Sequence, residues 1–305
     1  ADNIPTFKEV AAEYGIDDKG FSVNATFFDY DRDGDLDLYI LTNTDTDRIA
    51  SNYMAKVADG SSPSNDKLYR NNGDGTFTNV TREAGIVYEG YGLGLAIADF
   101  NNDDWPDIYV SNDFLTNDIL YINNQDGTFK NNSSLWLPHQ SQFSMGSDAA
   151  DFNNDGLTDI VTMDMLPETN DRKKTMINNK SYLTYINNER YKYDYQYMRN
   201  MLQLNNGLND SIGFSEIGQM AGVHQTEWSW SPLFADFDND GYKDLFITNG
   251  FPKDITDKDF VAYRNDVGAY ISNAQLLDSV PVVRLANFAY KNNGDLTFKD
   301  VSKEW

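Results

Sequence analysis

Four nine-residue segments stand out: DYDRDGDLD from Asp29, DFNNDDWPD from Asp99, DFNNDGLTD from Asp151 and DFDNDGYKD from Asp236. Each places oxygen-bearing side chains at its first, third, fifth and ninth positions. The first packs five carboxylates into nine residues, and like charges repel at that spacing unless a cation sits among them. Ca²⁺ takes six to eight oxygens, and a tight loop delivers them from alternate side chains plus one backbone carbonyl. In the first segment Asp29, Asp31 and Asp33 provide the alternating side chains and Gly34 permits the sharp turn. The Asp35 carbonyl is the backbone ligand, and Asp37 closes the shell. All donors are hard oxygens with no histidine or cysteine beside them, which disfavours zinc and copper. Mg²⁺ is the weaker competitor because it prefers to keep its waters. An EF-hand is excluded, since its twelfth-position glutamate is replaced by Ile40, Val110, Thr162 and Ile247, each in a strand-like run. Asp104 stands where the other loops have glycine, so the second loop is expected to bind more weakly.

A second motif alternates with the first: LYRNNGDGTF from Leu68, LYINNQDGTF from Leu120, LQLNNGLNDSIGF from Leu202 and AYKNNGDLTF from Ala289. Short apolar–polar alternation joined by Asn-Gly or Asp-Gly is a hairpin signal. The repeating unit is F-x-x-V, A-G-I, a strand, the acidic loop, a strand such as LDLYILTN, a variable stretch and the LYxNN hairpin. Each unit predicts an antiparallel sheet of four strands that cannot bury both faces alone, so the units stack radially as propeller blades do. The fold class is therefore all-β, a β-propeller of about four blades within a single domain over residues 1–305. Partly helical inserts are expected at about 164–200 and 251–285, each following the strand that leaves an acidic loop. The last residues, LTFKDV, repeat the opening PTFKEV. Either the two ends complete one blade and close a four-bladed ring, or the blades belong to a larger one, which is the favoured expectation.

Composition agrees with this plan and removes other functions. Aromatic residues make up 14% of the 305 and glycine contributes 21, as suits strands and turns. A net charge of −24 without a local basic cluster argues against nucleic acid as a partner. Four divalent ions would bring that charge to about −16. With no cysteine, stability rests on the core, the sheets and the ions. No apolar run is long enough to span a membrane, and no signal peptide is visible.

The combination of F-x-x-V, A-G-I, D-x-D-x-D-G-x-x-D and L-Y-x-N-N-G-D-G-T-F resembles the FG-GAP/VCBS repeats of integrin α-like β-propellers, and looks closest to bacterial secreted proteins of the ASPIC/UnbV and cartilage acidic protein group. The resemblance covers the chain apart from the two inserts. It implies up to four Ca²⁺ ions that hold blade loops, and a complete ring of seven blades whose remainder lies in the same polypeptide. Beside the set Asp29, Asp31, Asp33, Asp35 and Asp37, it implies ligands at Asp99, Asn101, Asp103, Trp105 and Asp107, at Asp151, Asn153, Asp155, Leu157 and Asp159, and at Asp236, Asp238, Asp240, Tyr242 and Asp244. The residue at position seven of each loop, Asp35, Trp105, Leu157 or Tyr242, acts through its carbonyl.

The function expected from these features is a calcium-stabilised binding or adhesion module for protein or glycan partners, extracellular or on a bacterial cell surface. Tyr182, Tyr185, Tyr191, Tyr193, Tyr195 and Tyr197 lie within sixteen residues of the first insert, and form either a contact surface or the packing of that insert onto its blade. Trp228 and Trp230 fall on one side of a strand and form either a sugar platform or blade core. A polysaccharide-active enzyme and a structural spacer are the alternatives. Catalysis has little to rest on, because the two histidines, His139 and His224, sit in no nucleophile or zinc motif.

Overall fold

The computed structural model describes residues 6–44, 53–176, 182–207 and 213–305. Residues 177–181 of the first insert and 208–212 of the third hairpin lie outside them.

The chain runs through α1 (Ala11–Tyr14) into four sheets, each antiparallel and four-stranded with its strands in sequence order. The first is β1 (Ser22–Phe28), β2 (Asp37–Thr42), β3 (Lys67–Asn71) and β4 (Phe77–Asn79). The second is β5 (Gly92–Ala98), β6 (Asp107–Asn112), β7 (Ile119–Asn123) and β8 (Phe129–Asn131). After α2 (Ser133–Trp136) and β9 (Gln140–Ser141), the third sheet starts with β10 (Ser147–Ala150) and β11 (Asp159–Thr162). The first insert then supplies α3 (Asn170–Thr175), α4 (Tyr182–Tyr191) and β12 (Gln196–Tyr197), the last pairing with β9 in parallel. The third sheet is completed by β13 (Met201–Asn205) and β14 (Phe214–Glu216). Beyond α5 (Gly218–Ala221) comes the fourth sheet, made of β15 (Ser229–Ala235), β16 (Asp244–Asn249), β17 (Phe288–Asn292) and β18 (Phe298–Asp300). The second insert places α6 (Lys258–Val267) and α7 (Asn273–Asp278) between β16 and β17.

The sheets stack through their first strands, β1 against β5, β5 against β10 and β10 against β15. The core is therefore not one mass but three apolar layers, one between each successive pair of sheets, with a smaller cluster of Leu38, Ile40 and Tyr69 on the outer face of the first sheet. Tyr39, Leu41 and Leu68 meet Ile108, Val110 and Tyr121 in the first, and Tyr109, Leu120 and Phe100 meet Ile160 and Phe214 in the second. Phe152, Val161 and Leu202 meet Phe234, Leu245 and Phe298 in the third. This explains why β6 and β11 are buried on both faces and read as continuous apolar runs, whereas the outer face of β2, Leu38 and Ile40, is covered by Ile16, Tyr69 and Phe77.

The F-x-x-V element closes the sheet it follows, as the fourth strand paired with the LYxNN strand, so the boundary between units falls at A-G-I. There Gly85, in left-handed backbone at φ 80°, passes so close to β8 that an added Cβ would stand 2.8 Å from the Phe129 carbonyl. Of the two closures expected, the shared blade is not what forms. Residues 298–300 pair with β17 in their own sheet, while Phe7, in the opening copy of the motif, lies 95% exposed and outside any strand. Among the described residues the series of sheets stays open. It leaves apolar side chains bare on both end sheets, Val23 and Phe27 on β1 and Leu233 on β15.

The order of strands also sorts the connections. Every acidic loop joins the first strand to the second, and every NN hairpin joins the third to the fourth, so both lie on one rim. Both inserts join the second strand to the third and leave from the opposite rim.

Candidate metal centres in the acidic loops

The four loops share one backbone construction. The first-position carboxylate accepts two backbone N–H groups, from positions five and six: Asp33 and Gly34 donate to Asp29 at 3.1 Å each. Asp103 and Asp104 donate to Asp99, Asp155 and Gly156 to Asp151, and Asp240 and Gly241 to Asp236. The fifth-position carboxylate accepts the N–H of position seven, from Asp35, Trp105, Leu157 and Tyr242 in turn. With their N–H groups used inside the loop, those residues leave a carbonyl as what they can offer a cation. Two residues per loop take left-handed backbone. Position four does so as Arg32, Asn102, Asn154 and Asn239, and position six as Gly34, Asp104, Gly156 and Gly241. Asp104 thus adopts the glycine geometry, at φ 67°.

The ninth-position aspartates are fully buried and act as struts. Asp107 accepts N–H bonds from Phe100 at 2.9 Å and from Asn123 on β7 at 2.8 Å, and Asp37, Asp159 and Asp244 make the same pair in their sheets. Burial pushes Asp37 up to about 6 and Asp107 and Asp159 up to about 7. Burial, then repulsion from Asp33, also raises Asp31. Carboxylates held away from water beside other carboxylates are stabilised in their charged form by a cation.

The donor chemistry fits a hard divalent ion. Asp29, Asp31 and Asp37 bring one carboxylate oxygen each within 4.8 Å of one another, and so do Asp236, Asp238 and Asp244. Asp31 Oδ1 is buried without a hydrogen-bond partner, an acceptor aimed into the loop. In the fourth loop a cation is already present in the form of an ammonium. Lys291 on β17 binds Asp238 and stands 3.1 Å from Asp240. Arg70 occupies the equivalent place on β3 and lowers the pKa of Asp31 against the larger upward push of burial. In the second and third sheets that position is apolar, Ile122 and Leu204, and the third loop residue is an amide. There Asn101 Nδ2 donates to Asp103 at 2.8 Å and Asn153 Nδ2 to Asp155 at 2.9 Å.

Sequence reasoning missed the role of the first asparagine in each NN pair, reading it only as part of a turn. Asn123 Nδ2 donates to the Tyr30 carbonyl in the preceding sheet, Asn205 to Phe100 and Asn292 to Phe152, each at 2.8–2.9 Å. The first three acidic loops are thereby each tied to the next sheet in the series. The available signal was the recurrence of asparagine at one fixed place, with a partner only the fold reveals. Asn71, at the start of the series, bonds the Leu36 carbonyl of its own loop.

The six insert tyrosines divide. Tyr193 is buried, with its hydroxyl donating to the Met54 carbonyl at 3.0 Å and Lys56 over its ring, and Tyr191 stacks on Tyr53. These two pack the insert down. Tyr197 lies between the His139 ring at 5.4 Å and the Arg199 guanidinium at 5.1 Å, which accounts for His139. Tyr182, Tyr185 and Tyr195 are exposed and form a parallel ladder. Trp228 and Trp230 are brought together as a stack with centroids 6.1 Å apart, Trp228 against the third apolar layer and Trp230 37% exposed. His224 is half-buried, and burial holds its pKa below the ordinary value.

Two stretches, residues 53–110 and 99–162, match the FG-GAP-like repeat, each taking in one or both of the acidic loops that start at Asp99 and Asp151. No curated protein matches the chain. Among solved structures, similarity is found to an Agrocybe aegerita lectin described for specific recognition of non-reducing terminal N-acetylglucosamine. It is 14% identical, with a TM-score of 0.37, and the match covers 92% of this chain and 65% of the lectin's. The chain thus spans about two thirds of the lectin's length.

Proposed function

We propose that this chain is a calcium-stabilised β-propeller segment that works as a binding or adhesion module, with the acidic loops holding up to four Ca²⁺ ions as structural ties and the opposite rim free for a partner. The observation that carries the reading is the division of the two rims. One rim repeats a single oxygen-lined loop four times, and both non-repeating inserts leave from the other. A repeated structural device beside unrepeated surface features is how a scaffold separates stability from recognition.

Loops of this kind suit the millimolar calcium of an extracellular module. The setting proposed is therefore outside the cell or at a bacterial cell surface, in keeping with the resemblance to the ASPIC/UnbV and cartilage acidic protein group. Among the described residues no helix is long and apolar enough to cross a membrane. The bare apolar faces of β1 and β15 suit further blades of the same polypeptide, up to a ring of seven.

The test is a thermal melt and a calorimetric titration of metal-stripped protein with calcium and, separately, magnesium. Calcium is expected to bind and raise the melting temperature, with magnesium much weaker. Absence of binding would refute the proposal.

A further inference from the structure

We infer that the cleft between α4 and β12 is a binding site for a neutral saccharide chain. This deepens the binding-module reading and rests on it. The cleft has a volume of about 590 Å³, within the ordinary range of about 300–1,000 Å³ for small-molecule sites. Its recognition surface is made of Tyr185, Tyr195 and Tyr197 together with the amides of Gln142, Asn188 and Gln196. In a chain where 24% of residues are charged, the lining contains no Asp, Glu, Lys or Arg.

That composition selects a ligand. Aromatic rings offer a flat apolar surface for the C–H face of a pyranose, and tyrosine adds a polar tip. Carboxamides both donate and accept, which matches hydroxyls that do the same. A phosphorylated or carboxylated ligand would find no basic residue in the lining, on a protein of net charge −24, and the Arg199 guanidinium behind Tyr197 is already paired with Glu216. From the cleft outward the rings form a ladder. Tyr185 and Tyr195 lie parallel within 6°, with centroids 5.8 Å apart, and Tyr182 stacks on Tyr185 at 6.4 Å. A row of stacked rings leading out of the cleft sets ring edges and hydroxyls along a line, which suits a chain of sugars better than a single unit.

The walls are held before any ligand arrives. Gln196 Nε2 donates to the Thr116 carbonyl at 3.1 Å, which leaves its amide oxygen for a ligand. The Tyr195 hydroxyl donates to Glu189, and β12 is fixed by its pairing with β9. Side chains ordered in advance reduce the entropy lost on binding.

The test uses the calcium-loaded full chain. Binding is measured by calorimetry to neutral probes (cellohexaose, xylohexaose, mannohexaose and chitohexaose) and to an anionic probe, oligogalacturonate. The variants are Tyr185→Ala, Tyr195→Ala, Tyr195→Phe and, as a control, Tyr270→Ala on the second insert. The expected result is binding of at least one neutral probe and none of the anionic one. Tyr185→Ala and Tyr195→Ala should weaken it at least tenfold with the calcium-dependent melting shift intact. Tyr195→Phe, which keeps the ring, should lose less, and Tyr270→Ala nothing. A calcium shift without neutral-probe binding, or binding that survives the alanine variants, overturns the saccharide site alone. A missing calcium shift would instead strike the scaffold reading.

Discussion

Replacing Asp31 by alanine separates a metal ligand from a turn residue, because its Oδ1 is a buried acceptor without a hydrogen-bond partner and its carboxyl interacts with one backbone N–H, that of Asp33, whereas the first- and ninth-position aspartates each hold two. The size of the effect can be worked out. A ligand at a hundred times its Kd stabilises the folded state by about 2.7 kcal/mol per site. Unfolding entropy near ~2.1 cal/mol/K per residue gives ~0.6 kcal/mol/K for 305 residues, so 1 kcal/mol moves the midpoint by about 1.6 °C. Four occupied sites then raise the melting temperature by about 17 °C, and one site by about 4 °C. Asp31→Ala should lose about 4 °C in saturating calcium. In chelator it should lose little or even gain, since repulsion between Asp31 and Asp33 disappears. The assay is a calorimetric melt of both proteins in each buffer. An equal loss in both buffers would refute the reasoning and leave Asp31 a residue of the turn.

The charge on β17 gives a second expectation: Lys291→Leu removes the ammonium that calcium must displace from Asp238 and Asp240, and should tighten the fourth-loop site by roughly tenfold, the scale on which charge count tunes such loops. In chelator the same variant should melt lower. Asp104→Gly should raise the melting temperature by about 1 °C, because Asp104 holds a left-handed backbone that costs an L-residue of the order of 1 kcal/mol, partly offset by the entropy glycine adds to the unfolded chain. The pH dependence has a definite sign. Asp37, Asp107 and Asp159 have folded pKa values of about 6 to 7, above the unfolded value of about 4. The folded state therefore holds more protons in that window, and metal-stripped protein should lose stability as pH rises from about 4 to 7. Calcium requires the ionised carboxylates, so its stabilising shift should grow over the same range. Melts at pH 5 and pH 7.5, stripped and loaded, check both halves.

Much of the architecture was legible because each level carried its own period. The acidic loops, the LYxNN hairpins and the A-G-I links recur in fixed order, and each became the turn, hairpin or inter-sheet passage its composition demanded. What stayed hidden involved partners brought together from distant parts of the chain. Asn123 reaches Tyr30 across 93 residues and Asn292 reaches Phe152 across 140, so neither bond could be read from local spacing. The tyrosine run shows the same limit from the other side. Six similar residues in one segment met three different environments, because Tyr193 found residue 54, Tyr197 found His139, and Tyr182, Tyr185 and Tyr195 found one another and solvent.

The least visible feature was a charge rule that links loop and strand. Where the third loop residue is an aspartate, Asp31 or Asp238, the strand beside it carries a cation, Arg70 or Lys291. Where it is Asn101 or Asn153, the strand offers Ile122 or Leu204. Counting positions one, three, five and nine with that strand residue, every loop has a net charge of −3. A turn without a cation gains from the strand residue only relief of repulsion between its carboxylates, which does not require the same net charge in all four loops. A set of sites that must bind the same divalent ion, with a modest excess of negative charge and without tearing the metal-free fold apart, does gain from it. The rule therefore extends the Lys291 expectation: Arg70→Leu should act on the first loop as Lys291→Leu does on the fourth, and Ile122→Lys should weaken the second. Calorimetry that found the three variants indistinguishable from the parent in calcium would show the charges to be incidental.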